Sequence, residues 1–369
     1  MSNRRLIVLA IIAGLMVVWA VFQSNISNKP KTRPGSPVYL IQGLDPADID
    51  SIVLGKAENT VTLKRREGHF VVANKDNYPA VTAKVNELIT KCLDIKTDEL
   101  YTADKANHKA LGVTEEDAEI IVKFFRPDFS LLTGVVMGKS KEQGQGSYVR
   151  LLSNDTVYVT LERPWLSNSA MNYIEQELFS INRDDIESVT VNGPDEVYTL
   201  KTGDSSDDII LENLPDGKKL KNSDAKNVLF VLASLRFDDV KNQSTAEDKF
   251  SFDRQFICRL KDSTVYTIRI AEKDDKTYIA CSAEFTDKIL VTEKEVKDSN
   301  DAELKEKEAR FLARDKANEF SAKNKGWIYE IPEYKAENLT KPLSELVEDE
   351  QKPQETAQTT DPNSTETNQ

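Results

Sequence analysis

Residues 48–54 read DIDSIVL and residues 185–191 read DIESVTV, so one short pattern occurs twice in the chain. At the same offset and without a gap, VTLK at residues 61–64 corresponds to YTLK at residues 198–201. Apolar and polar residues alternate in each segment, which is typical of a β-strand with one face toward a core. Each copy therefore predicts two neighbouring strands joined by a short turn.

A helix and further strands are predicted after each strand pair. Apolar residues recur at helical spacing from Val81 to Cys92 in the first copy and from Val228 to Leu235 in the second. Four more strands follow in each copy, at residues 120–125, 131–137, 148–152 and 156–160, and at residues 256–260, 265–270, 278–281 and 289–292. The predicted fold is α+β, a tandem duplication of an antiparallel sheet with a packed helix, over residues 38–177 and 178–343.

The N-terminus predicts a membrane anchor. Residues 1–5 are a short basic stub, and Leu6 to Phe22 contains no charged residue, near the lower length limit for a spanning helix. The basic residues before the apolar run predict a cytoplasmic N-terminus, with the bulk of the chain in the periplasm. A cleaved signal peptide is the alternative, but residues 22–25, FQSN, place bulky or polar groups where small residues are required. We therefore expect a single-pass protein of the bacterial inner membrane.

Other segments flank or extend the two copies. Residues 23–37 contain three prolines and predict a linker, whereas residues 344–369 are acidic, lack aromatic residues and predict a disordered tail. Residues 301–322 predict a charged helix, and Trp327 to Ile331 resembles a closing strand. The second copy is therefore expected to carry an addition that the first lacks.

Composition argues against several functions. The net charge of −13 argues against nucleic acid as a partner, because phosphate-binding surfaces need clustered Lys and Arg. Neither of the two histidines, His69 and His108, has the spacing of a metal ligand, and no nucleophile motif or phosphate-binding loop occurs. Cys258 and Cys281 lie in neighbouring predicted strands and could pair, although small buried side chains are the more usual role. We expect no catalytic residue, no metal and no cofactor.

Four residues are candidate contact residues. Gly144 and Gly146 lie in a glycine-containing loop between two predicted strands, for which a long hairpin connection is the structural alternative. Tyr148 follows this loop, and Trp165 lies beyond the next strand. An exposed Tyr148 or Trp165 in a cleft between the two copies would favour glycan binding, whereas a flat apolar patch would favour a protein partner.

Several short phrases resemble the family known as Domain of Unknown Function 4340. They include Leu44 to Ile52, Tyr78 to Ala80, Ala110 to Val113 and Trp327 to Pro332, and the resemblance extends roughly from Val38 to Leu346. Phe70 departs from the pattern, since a tryptophan is expected there. The resemblance implies a membrane-anchored bacterial envelope protein, of which several are encoded beside ABC transporter components of the gliding-motility type. It implies a partner and no catalytic residue.

These observations lead to one expected function and two alternatives. We expect a non-catalytic, membrane-anchored periplasmic accessory protein whose partner is a membrane protein such as an ABC transporter subunit. The first alternative is a periplasmic module that binds a glycan or a peptidoglycan fragment. A hydrolase with acidic residues scattered along the sequence is the second.

Overall fold

A computed structural model describes residues 38–56, 59–142, 144–203, 208–245, 250–287 and 301–350 of the chain. The predicted anchor, Leu6 to Phe22, lies outside these residues. No helix within the described residues is both long enough and apolar enough to cross a bilayer. Two compact units make up the chain, with their boundary between Ile174 and Glu175.

The first unit is built on one sheet of ten strands, and every strand pair described in it is antiparallel. Its strands are β1 (Val38–Tyr39), β2 (Ser51–Lys56), β3 (Asn59–Arg66), β4 (His69–Val72), β5 (Tyr78–Pro79), β6 (Lys96–Thr102), β7 (Ile120–Phe125), β8 (Leu131–Ser140), β9 (Ser147–Leu151) and β10 (Val157–Thr160). Their spatial order is β1-β6-β10-β9-β8-β7-β2-β3-β4-β5. The helices are α1 (Thr82–Leu93) and α2 (His108–Leu111).

The second unit contains a sheet of eight strands and two small two-stranded sheets, β11 with β16 and β15 with β22. Its strands are β11 (Glu177–Phe179), β12 (Ile186–Asn192), β13 (Val197–Thr202), β14 (Ile209–Leu211), β15 (Lys218–Leu220), β16 (Leu235–Arg236), β17 (Asp239–Asn242), β18 (Arg254–Leu260), β19 (Thr264–Lys273), β20 (Lys276–Phe285), β21 (Trp327–Ile331) and β22 (Val347–Asp349). The large sheet has the order β14-β13-β12-β18-β19-β20-β21-β17. The helices are α3 (Asn222–Leu229), α4 (Asp301–Asn324), α5 (Glu333–Thr340) and α6 (Leu343–Leu346).

The two large sheets share one strand order. In the first unit the order β4-β3-β2-β7-β8-β9-β10-β6 corresponds, strand by strand, to the complete order of the large sheet in the second unit. The hairpins predicted from the sequence are β2 with β3 and β12 with β13, and they pair Val53 with Thr62 and Thr190 with Thr199. Both units are mixed α+β with antiparallel sheets, which confirms the predicted fold class at this level.

The first predicted helix is observed as α1, which buries Val85, Leu88, Ile89 and Cys92 along one side. The second prediction is wrong in length. Helix α3 ends at Leu229, and Val231 to Ala233 form a 3-10 turn before β16 begins. Consecutive apolar side chains from Val228 to Leu232 are all buried. Since one helix face cannot bury five successive residues, the chain leaves the helix to bury them.

The strand predicted at the end of the second copy also differs from the observed one. The predicted strand at residues 289–292 lies outside the described residues. The strand that corresponds to β10 is β21, which follows the long helix α4 and pairs with both β20 and β17. Helix α4 agrees with the predicted charged helix, and it buries Ala313 and Ala317.

The predicted disordered tail begins too early in the sequence. Residues 344–350 are folded: Leu346 is fully buried, and its carbonyl accepts a hydrogen bond of 2.8 Å from the N–H of Lys221. Strand β22 then pairs with β15. Although the segment after residue 344 is acidic, it contains the buried Leu346 and the short strand β22. The prediction of a disordered tail is therefore wrong for residues 344–350.

Candidate functional site

The histidines occupy positions in the first unit with no metal-ligand arrangement. His69 lies at the exposed start of β4, whereas His108 is buried with its Nε2 atom 2.8 Å from the backbone oxygen of Asp155. Within the described residues, no group of three or more His, Cys, Asp or Glu side chains is arranged to hold a metal ion.

All three cysteines are buried with free thiols. Burial raises the pKa of Cys92 and of Cys258 to about 12, and it raises the pKa of Cys281 as well. Cys258 on β18 and Cys281 on β20 are separated by β19, so two strand spacings of about 4.8 Å each lie between them. A disulfide needs Cα atoms within about 7 Å, and the sheet order therefore keeps this pair apart.

The two candidate glycines lie in the connection between β8 and β9. Gly146 has a positive φ of 100°, and a Cβ atom there would lie 2.0 Å from the backbone oxygen of Thr160 on β10. Gly144 has a positive φ of 98°, but nothing lies within 4 Å of the position its Cβ would take. Gly146 is thus required because the backbone of Thr160 lies too close for a side chain, whereas a side chain at Gly144 would enter open space. A contact role for either remains a prediction.

Tyr148 is buried, with 8% of its surface exposed. Its ring contacts that of Tyr101 at a centroid distance of 4.8 Å, and it belongs to an apolar cluster with Val136 and Val159. Desolvation, followed by the hydrogen bond with Tyr101, raises the pKa of its hydroxyl. Tyr148 therefore fills the core under β9 and presents little surface to a ligand.

Trp165 is the exposed candidate, with 72% of its surface open to solvent. It lies in an irregular segment that side-chain hydrogen bonds hold on both sides. The ammonium of Lys91 donates to the carbonyl of Trp165 at 3.3 Å, and the hydroxyl of Tyr173 donates to the carbonyl of Ser167 at 2.9 Å. Arg163 donates to Ser140 at 2.8 Å and pairs with the carboxylate of Glu119. The indole is thus presented by a fixed backbone.

Two hollows in the first unit share Trp165 and Leu166 as lining residues. One has a volume of about 230 Å³, and the other a volume of about 270 Å³. Most of the remaining lining residues of the first hollow are polar or charged: Lys84, Glu87, Lys91, Ser167, Asn172 and Tyr173. The second hollow combines Glu119, Arg163 and Asn168 with the apolar Ile120, Met137 and Pro164. We call Trp165 with these two hollows the Trp165 site.

Helix α1 supplies the charges of the first hollow. Glu87 pairs with Lys91 at 2.8 Å and with Lys84 at 3.4 Å, and hydrogen bonds from Lys91 and then Lys84 hold the pKa of its carboxyl below the usual value. The ammonium of Lys91 also lies 5.6 Å from the centroid of the Trp165 ring. The three side chains share one helix face because they are three and four positions apart.

A second surface, not singled out by the sequence, lies at the edge of the same sheet. Val38, Tyr39 and Leu100 are exposed large apolar residues on β1 and β6, and we call them the edge surface. Tyr39 and Leu100 line a hollow of about 310 Å³, together with polar and apolar residues of β6, β9, β10 and adjoining loops. Leu100 lies opposite Tyr158 of β10, so an apolar stripe crosses two strands.

The outer side of β6 is only partly covered. Strand β1 pairs with it at Lys96 and Thr97 alone. The pairing of β6 with β10 is interrupted by two register shifts, and such bulges turn a sheet edge away from regular strand addition. We therefore expect a partner to bind the side chains of the edge surface and not to add a strand to the backbone of β6.

Comparison with known proteins identifies one family. The family model described as Domain of unknown function (DUF4340) matches residues 71–255, half of the chain, from β4 to the start of β18. This range is narrower at both ends than the resemblance read from short phrases. No curated protein and no solved structure matches the chain.

Proposed function

Because the chain belongs to the DUF4340 family, a domain of unknown function, we propose its role from its surfaces: a non-catalytic, membrane-anchored accessory protein of the bacterial envelope. Its partner is a membrane protein such as an ABC-type transporter subunit, and it works by protein contacts. The observation that carries the proposal is the edge surface, where Val38, Tyr39 and Leu100 expose apolar side chains on adjacent strands and line one hollow. Contiguous exposed apolar residues are characteristic of protein interaction sites.

The position of this surface along the chain supports a partner in the membrane. The edge surface begins at Val38, directly after the predicted linker of residues 23–37. Fifteen linker residues span at most about 50 Å when fully extended, so the surface stays close to the bilayer if Leu6 to Phe22 is the anchor. Tethering raises the effective concentration of the surface near any membrane partner.

The same proposal includes a tandem duplication. The correspondence of eight strands in one order and the paired phrases at residues 48–54 and 185–191 support descent of both units from one ancestor. In the first unit β9 and β10 follow each other closely, whereas in the second helix α4 separates β20 from β21.

Site-specific photo-crosslinking in cells tests the accessory role. A photoreactive amino acid replaces Leu100 in the full-length protein, and a matched variant carries it at Phe129, which is equally apolar and 69% exposed on the same unit. We expect one membrane protein to be crosslinked at position 100 and not at position 129. A further control replaces residues 1–22 with a cleavable secretion signal, which should abolish the crosslink. Equal labelling at both positions, or capture of abundant periplasmic proteins alone, would contradict the proposal.

A further inference from the structure

We infer that the Trp165 site binds a saccharide, and specifically a sugar ring that carries a carboxylate. The site is independent of the edge surface, so this inference does not rest on the accessory role. It places glycan recognition within the first unit rather than in a cleft between two copies.

The first step concerns the presentation of the indole. An exposed apolar residue alone says little, because much of any protein surface is apolar. At Trp165, however, the segment on either side is fixed by hydrogen bonds from Lys91, Tyr173 and Arg163, yet the ring remains 72% exposed. A backbone held by hydrogen bonds while it presents a large aromatic ring to solvent needs less ordering when a ligand binds, and this lowers the free-energy cost of binding.

The second step concerns the shape of the hollows. Volumes of about 230 and 270 Å³ lie just below the range of roughly 300–1,000 Å³ for pockets that enclose drug-sized ligands. Each hollow therefore suits a single ring. Because Trp165 and Leu166 line both hollows, adjacent rings of a short chain could lie on either side of this apolar wall.

The third step concerns the ligand class. A pyranose has an apolar face of C–H bonds, which suits the negative face of an aromatic ring, and an edge of hydroxyl groups. The Trp165 site supplies an aromatic platform together with hydrogen-bonding groups from Ser167, Asn168 and Asn172. The core of a protein–protein interface is depleted in charged residues, whereas Lys84, Glu87, Lys91, Glu119 and Arg163 surround this ring. The arrangement fits a saccharide better than a protein partner.

The fourth step concerns charge. Three cationic side chains and two carboxylates line the two hollows, in a chain whose net charge is −13. Both carboxylates are already paired, Glu87 with Lys84 and Lys91, and Glu119 with Arg163. An ammonium has three donors, and among the described residues Lys84 donates only to Glu87. Lys84 is therefore placed to donate to a carboxylate on a sugar bound against Trp165.

Titration of two matched disaccharides tests the inference on the full-length protein in detergent micelles. The acidic probe is N-acetylglucosaminyl-N-acetylmuramic acid, and the neutral probe is the disaccharide of two N-acetylglucosamine units, which lacks the carboxylate. Calorimetry measures the affinity, and tryptophan fluorescence reports whether the indole is contacted. We expect the acidic probe to bind more tightly than the neutral one and to change the fluorescence.

Three variants locate the site. Trp165→Ala should weaken binding of the acidic probe by about tenfold or more. Lys84→Gln should remove the preference for the acidic probe while the neutral probe binds as before. Phe129→Ala, a change of an exposed aromatic residue that lines neither hollow, should leave both affinities unchanged.

Several results would overturn the inference. Absence of heat with both probes, or unchanged binding by the Trp165→Ala variant, excludes a saccharide at this ring. Equal affinity for the two probes would show that the site does not recognise the carboxylate of the sugar. Efficient crosslinking of a protein through a photoreactive group at position 165, without competition by the acidic probe, would instead identify a protein-docking surface. Hydrogen exchange in α1 should be the same in the wild-type protein and in the Trp165→Ala variant. This control shows that a loss of binding does not result from unfolding of the site.

Discussion

The hydroxyl of Ser321 on α4 makes two hydrogen bonds with the backbone of Ala283 on β20. It accepts a hydrogen bond from the N–H of Ala283 at 2.7 Å and donates one to the carbonyl of the same residue at 2.6 Å. Strand β21 pairs with β20 only at residues 277–279, so no strand borders this side of Ala283 among the described residues. A helix side chain therefore satisfies backbone groups that a neighbouring strand would otherwise pair.

Removal of this hydroxyl should loosen the end of β20. Ser321→Ala leaves a backbone donor and a backbone acceptor without their partner, at an expected cost of about 1–3 kcal/mol to the local free energy of opening. Hydrogen exchange followed by mass spectrometry should show faster exchange in residues 281–285. Asn318→Ala, on the exposed face of the same helix, should leave exchange there unchanged. Equal protection in both variants would mean that the hydroxyl is dispensable.

The two loop glycines should differ sharply in their tolerance of a side chain. Gly144→Ala places alanine at a positive φ in open space and should cost about 1 kcal/mol of unfolding free energy. Gly146→Ala adds a collision with the backbone of Thr160 and should cost about 3 kcal/mol or more. Urea unfolding followed in the first unit measures both values. Similar losses for the two variants would show that β10 moves aside at little cost.

Two truncations test where the folded part ends. A chain that stops after Glu350 keeps Leu346 and β22 and should unfold at the same urea concentration as the full-length protein. A chain that stops after Pro342 loses the buried Leu346 and the pairing of β22 with β15, and should lose about 3 kcal/mol or more. Limited proteolysis should then cleave near β15. Resistance equal to that of the longer chain would contradict a structural role for this segment.

The buried thiols should resist alkylation. With the pKa of Cys92 and Cys258 near 12, about one thiol in ten thousand is ionised at pH 8. Because the shift is upward, reactivity rises only as the pH approaches 12. We expect no iodoacetamide adduct on the native protein, and three per chain after unfolding in denaturant without reductant. A single adduct after unfolding would reveal a disulfide.

Local alternation predicts the paired hairpins and the central strands correctly. In β3 and in β12 from Ser188 onward, buried residues alternate with less buried ones, and β3 and β13 follow their partners β2 and β12 within a few residues. Strand β6 escaped prediction because Lys96 to Thr102 is mainly polar and carries no alternating apolar signal. Its assignment depends on pairing with β10, a long-range contact that local periodicity does not contain.

The candidate surfaces show the same limit. The composition around Trp165 is visible in the sequence, but its exposure follows from hydrogen bonds to α1 and to residues beyond position 170, which no local pattern reports. Tyr148 illustrates the converse, since a tyrosine after a glycine loop is equally compatible with a contact residue and with the core position that it occupies. Tyr39 and Leu100 carry no motif at all, and only the strand order brings them to one edge.

The insertion of α4 between β20 and β21 has a consequence for biosynthesis. Strand β17 can join its sheet only through β21, and Asp239 pairs with Glu330, which closes a loop of roughly 90 residues. In the first sheet the equivalent pairing, between β6 and β10, closes a shorter loop, from Thr97 to Thr160. As the chain emerges N-terminus first, the first unit can finish folding while β17 still waits unpaired for residues near the C-terminus. The second unit is therefore expected to be the slower one to mature, and the one with the longer need for chaperone protection.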